Sequence, residues 1–119
     1  MQTIVVKEVG KEPTKLNVRD GQLTLELLQR LVGGYIEVVH PDGFPQDVVL
    51  ICNEEGKLND LPFNFFVNIC QYPDAICGTS VFCAEGINAD GELDLVPLTY
   101  SQAEMVAKEL RQIKVGYML

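Results

Sequence analysis

The chain has no tryptophan, and His40 is its only histidine. A His-rich metal centre is therefore excluded. Long apolar runs are also missing: none approaches the roughly 20 residues that a membrane-spanning helix needs. Met1–Val9 lacks the sequence of basic region, apolar stretch and small-residue cleavage site that marks a signal peptide. Neither end carries a lipidation signal. These absences make a cytoplasmic protein with no membrane partner the expectation. The four cysteines, at 52, 70, 77 and 83, contain no Cys-x-x-Cys pair of the zinc or redox type. Cys52, Cys77 and Cys83 lie among apolar residues, so free buried thiols are expected rather than disulfides.

Basic residues are nearly absent from the middle of the chain. Residues 1–30 hold five bases and four acids, and residues 108–119 hold three bases and one acid. Residues 31–107 hold twelve acids against one base, Lys57. Such a surface repels phosphate and argues against direct nucleic-acid binding. It suits a cation, a basic protein surface, or a protein that normally grips DNA.

At 119 residues, 47% hydrophobic and 22% charged, the chain has the size and composition of one globular domain spanning 1–119. Thr3–Val9 and Lys15–Val18 read as a hairpin. Asp20 is placed to cap a short helix whose apolar positions are Leu25, Leu28, Leu31 and Val32, with Gly33 as its left-handed exit. Tyr35–Val39 and Asp47–Cys52 read as a buried strand pair across the turn-rich His40–Pro45 segment. Pro62 opens a second short helix through Phe63–Cys70. Ala75–Ala84 reads as one strand in which Gly78 allows a bulge or a close backbone approach, and Glu92–Leu98 as its partner beyond the Asn88–Gly91 turn. Ser101 and Glu104 fit a capping box for a final helix with an apolar face of Ala103, Val106, Ala107, Leu110 and Ile113. The expected fold is α+β: a mainly antiparallel sheet carrying the short helix of the N-terminal half and the C-terminal helix, both on one face.

The residues show little chemistry. His40 with Asp42 could serve as a base, and Cys52 or Ser80 as a nucleophile, but no spacing joins them. Asn88–Asp94 lacks the ligand order of a calcium loop. No glycine-rich phosphate loop precedes a helix. No catalytic residue, cofactor or metal site is therefore assigned. The distinctive local feature is the polar turn after the second strand of the pair, Asn53-Glu54-Glu55-Gly56-Lys57, where Gly56 is expected to take a positive φ.

The motifs LVGGYIEVV (31–39) and NEEGKLNDLPFN (53–64) resemble those of a family of unknown function found in bacteria, their phages and mobile elements. The resemblance covers roughly residues 15–85. It rests on Gly33, Gly34, Tyr35, Glu37, Asn53, Glu54, Gly56, Lys57, Leu61, Pro62 and Asn64. The chain departs from that pattern at Phe65, where a polar or basic residue is expected, and in a longer His40–Gln46 loop. The resemblance implies a cytosolic accessory protein of phage or mobile-element type, with no established activity.

The reading that follows is a non-enzymatic binding protein. Its ligand-binding residues are Tyr35, Glu37, Asn53, Glu54, Lys57 and Asn64, which offer donors and acceptors to a polar small molecule or a host protein. An acidic DNA mimic that inhibits a host DNA-binding or defence protein ranks second, and a hydrolase third.

Overall fold

A computed structural model describes residues 2–19 and 21–118, with side chains to residue 113. Its architecture follows from two strands that are apolar at nearly every position. Strand β4 (Val48–Asn53) is buried throughout, and β7 (Ser80–Ile87) is buried over its first five residues. A strand without a polar face needs cover on both sides. These two pair antiparallel at the centre of a sheet ordered β2-β1-β7-β4-β3, with β1 Thr3–Lys7, β2 Thr14–Asn17 and β3 Ile36–Val39. Strand β8 (Leu93–Val96) continues the line of β1 along the far half of β7. All pairings are antiparallel.

Helices cover the two faces separately, which corrects the expectation of both on one face. Helix α1 (Leu25–Val32) lays Leu28 and Val32 on Ile4, Val49, Ile51, Val81 and Cys83. Helix α2 (Tyr100–Met118) lays Ala103, Val106 and Leu110 on the opposite set, which includes Val5, Leu50, Phe82 and Ala84. The alternation along β4 and β7 sends successive apolar side chains to opposite faces, so one helical layer would leave half of them in water. Asp20 lies outside the described residues. The cap of α1 is Thr24, whose Oγ1 accepts from the Leu27 amide at 3.1 Å. Gly33 closes the helix at φ 81°, as expected.

Four other expectations are corrected. Phe63–Ile69 is strand β5 rather than a helix, because Phe65 and Val67 are buried while Asn68 faces out, a period of two. Tyr72–Cys77 is a separate strand, β6, and Gly78 (φ 83°) marks a break between β6 and β7 rather than a bulge. Hairpin β5–β6 turns through Cys70 and Gln71, both at positive φ, and packs Phe65, Val67 and Ile76 beside α2. The capping box of α2 falls at Thr99 and Gln102, whose side chains and amides bond reciprocally at 2.9 and 3.1 Å, two residues before the expected pair. Finally, β3 is a sheet edge and not a buried strand, with Glu37 and Val38 exposed. The fold class itself is α+β, as expected.

Helix α2 buries Ala103, Val106 and Leu110 on its face of the sheet, beside the β5–β6 hairpin, a contribution of several kcal/mol at about 25 cal/mol per Å² buried. Truncation after Leu98 is expected to abolish the cooperative thermal transition followed by circular dichroism. A truncated chain that still melts cooperatively would show the helix to be an appendage.

Candidate functional site

Four of the six expected residues line one cleft, and two lie elsewhere. A cleft of about 370 Å³ opens between the end of β4, the turn after it and strand β6. Glu37, Asn53, Glu54 and Lys57 line it, joined by Cys52, Glu55, Asp74 and Cys77. Tyr35 is 69% exposed and outside the cleft, and it contributes only its carbonyl, which accepts from the Glu54 amide at 2.9 Å. Asn64 is also elsewhere. Its amide nitrogen donates to the carbonyls of Lys7 (2.8 Å) and Gly78 (2.9 Å), and its oxygen accepts from Lys7 Nζ (3.0 Å). It ties the base of hairpin β5–β6 to β1.

Asn53 lines the cleft but is spent on structure. It is buried, donates from Nδ2 to the Val32 carbonyl at 3.2 Å, and accepts at Oδ1 from the Glu55 amide at 2.8 Å. One side chain thus joins the end of α1, the end of β4 and the start of the turn. The paired glycines have separate reasons. Gly33 takes the left-handed exit, whereas a Cβ at Gly34 would come within 2.9 Å of Asn53 Nδ2. Gly56 is likewise required by space and not, as expected, by a positive φ: its Cβ would lie 2.9 Å from the Cys77 carbonyl. That close approach seats the turn against β6. The segment winds through an Asn59 amide to Glu55 carbonyl bond (2.8 Å) and a Leu61 amide to Gly56 carbonyl bond (2.9 Å).

The charges in the cleft are mostly negative. Lys57 Nζ donates to Asp74 Oδ1 at 2.5 Å, and this bond raises the lysine pKa above its ordinary value. With the lysine neutralised by Asp74, Glu37, Glu54 and Glu55 leave an excess of carboxylate. Glu37 Oε1 lies 3.8 Å from Cys52 Sγ, its cross-strand neighbour. Burial first, and the Glu37 charge second, push the Cys52 thiol up to about 12. A thiol held protonated is a poor nucleophile.

The other catalytic candidates separate. His40 Nε2 pairs with Glu85 at 2.6 Å, while Asp42 accepts from the Gln71 amide at 2.7 Å and anchors the hairpin tip. Ser80 is fully buried, and among the described residues its hydroxyl has no hydrogen-bond partner to act as a base. Cys83 is buried as expected, Cys77 is half-buried at the cleft, and Cys70 is exposed. Among the described residues no three His, Cys, Asp or Glu side chains are grouped so that they could hold a metal ion. Sequence reasoning missed Asp74 and Cys77. Both arrive on β6, and no local spacing links residue 74 to residue 57 once residues 63–70 are read as a helix.

A family model described as Domain of unknown function (DUF3846) matches residues 1–111. Neither a curated protein nor a solved structure matches the chain.

Asn53 and Lys57, both at the cleft, are expected to differ in what their removal costs. Asn53→Ala removes the partner of the buried Val32 carbonyl and of the part-buried Glu55 amide and should cost about 1–3 kcal/mol in a urea titration. Lys57→Ala removes half of a largely exposed ion pair and should move stability by less than about 0.5 kcal/mol. Equal losses would mean that the turn, and not Asn53, holds this region together.

Proposed function

The chain belongs to the DUF3846 family, a domain of unknown function, and from that premise we propose that it is a non-enzymatic binding protein whose acidic cleft takes a cationic group. The group belongs to a polar small molecule or to a basic side chain of a host protein. The observation that carries this reading is the charge state of the cleft: its one ammonium is engaged by Asp74, while Glu37, Glu54 and Glu55 line the same opening. Carboxylates in a concave site attract cations at modest range and reject phosphate. The volume suits a small ligand or one side chain. A setting in the cytosol, as an accessory protein of phage or mobile-element origin, is supported by the resemblance of the 31–39 and 53–64 motifs. No helix among the described residues is long and apolar enough to cross a membrane.

The DNA-mimic reading stays second. Glu8, Glu12, Asp74, Glu85 and Glu104 each face Lys11, Arg111, Lys57, His40 and Lys15 respectively, which dilutes any continuous run of free carboxylates. Enzymatic turnover is disfavoured by the protonated Cys52 thiol and the isolated Ser80 hydroxyl.

Native mass spectrometry of protein purified from a bacterial host tests the proposal. The expected result is a co-purifying amine-bearing compound or basic peptide. It should be lost in the double variant Glu37→Gln, Glu54→Gln and kept in Lys57→Ala, which frees Asp74. A ligand that depends on Lys57 and ignores the glutamates would be anionic and would reverse the assignment.

A further inference from the structure

Among the described residues the main path of the sheet ends at β2 and β3, with β8 a further edge strand beside β7, and the two end strands differ in composition. Proteins usually protect an open edge with a short strand, charged side chains (lysine above all), proline or a bulge, since its unpaired amides and carbonyls invite another strand; β2 and β3 are both four residues long. Strand β2 is protected in this way: Pro13 precedes it, and Lys15 lies on it. Strand β3 reads Ile36-Glu37-Val38-Val39, with neither lysine nor proline, and its pairing with β4 runs without a register break.

The direction of its backbone groups is fixed by the register. Tyr35 accepts from the Glu54 amide, and hydrogen-bonded pairs alternate along an antiparallel ladder, so Tyr35, Glu37 and Val39 point their backbone groups at β4. Ile36 and Val38 point theirs outward. The side chains divide by face in the same rhythm. Glu37 shares the face of Cys52 and lines the acidic cleft, whereas Ile36 packs against the α1 core and Val38, on the same side, is 39% exposed.

We infer that the outer edge of β3 is a docking strand for an extended peptide segment of a partner protein, one that alternates apolar and basic residues. Its backbone pairs with the Ile36 and Val38 amides and carbonyls, as in other cases of strand addition. Its apolar side chains lie beside Ile36 and Val38 on the α1 face. Its basic side chains lie beside Glu37 and reach the carboxylates of the cleft. Charge complementarity selects this occupant, because residues 31–107 carry twelve acids and one base. The inference rests on the reading of Glu37 as a recognition residue and names the partner class for the same site.

The test uses fluorescence anisotropy on the full chain with a short labelled peptide that alternates valine and lysine. An isomer of the same composition, with valines and lysines in separate blocks, is the control. The alternating peptide should bind more tightly than the block isomer and weaken as salt is added. N-methylation of its edge-facing amides should cost about tenfold or more in affinity with the protein itself unchanged. Glu37→Lys should reduce binding similarly, and Glu92→Lys, in the β7–β8 turn, should not. Binding that needs the free peptide amides but is indifferent to Glu54→Gln supports the edge and removes the cleft from recognition. No binding of the alternating peptide, equal binding of the block isomer, or indifference to N-methylation overturns the inference. It is also overturned by concentration-dependent self-association that Val38→Pro abolishes, which would give the edge to a second copy of the chain.

Discussion

Strand β4 is buried along its whole length, and the rest of the molecule is arranged to keep it so. Its alternate side chains enter two different cores, which forces one helix onto each face and brings the β5–β6 hairpin to the side of α2. Phe82 of the neighbouring strand shows how full that side is: Phe44 stacks on it at 5.1 Å and Phe65 at 6.2 Å between ring centroids. The strand ends at Asn53, where burial would be costly for an unsatisfied amide. Its bonds to Val32 and Glu55 meet that demand and, in doing so, fix the turn that walls the cleft.

Structural roles and the proposed recognition therefore fall on adjacent residues with different physics. Asn53, Gly34 and Gly56 set positions through buried bonds and close approaches, where a single added atom or lost partner is felt. Glu37, Glu54 and Lys57 work at the surface, where an ion pair adds little stability because water and salt screen it. The proposed recognition draws on this second group, together with the outward backbone groups of β3. The high pKa of Cys52 belongs to the first group, since burial holds the thiol neutral beside a carboxylate.

Elements with a local cause were legible in the sequence. The Gly33 exit, the apolar face of α2 and the all-apolar run of β4 each follow from residues within one or two turns of each other. The Phe63–Cys70 segment was misread because its aromatic residues fit neither period by type, and burial of alternate positions depends on α2, far along the chain. The apolar run Val48–Cys52 implies cover on both faces of the sheet, and hence one helix on each. The site was legible as a turn at 53–57 joined to Glu37. Asp74 was not, because it reaches Lys57 only through the β6 strand that the misread helix concealed. Tyr35 and Asn64 belong to the family-like motifs, and here they contribute a carbonyl contact and a structural clip.

Residue-resolved amide hydrogen exchange on the free chain, repeated with the alternating valine–lysine peptide, tests the central claim most directly. In the free chain the Glu37 and Val39 amides should be protected by β4, while those of Ile36 and Val38 exchange freely. Added peptide should slow Ile36 and Val38 and leave the outward amides of Lys15 and Asn17 on β2 unchanged. Slow exchange at Ile36 and Val38 in the free chain, or protection that appears on β2 instead, would contradict the account.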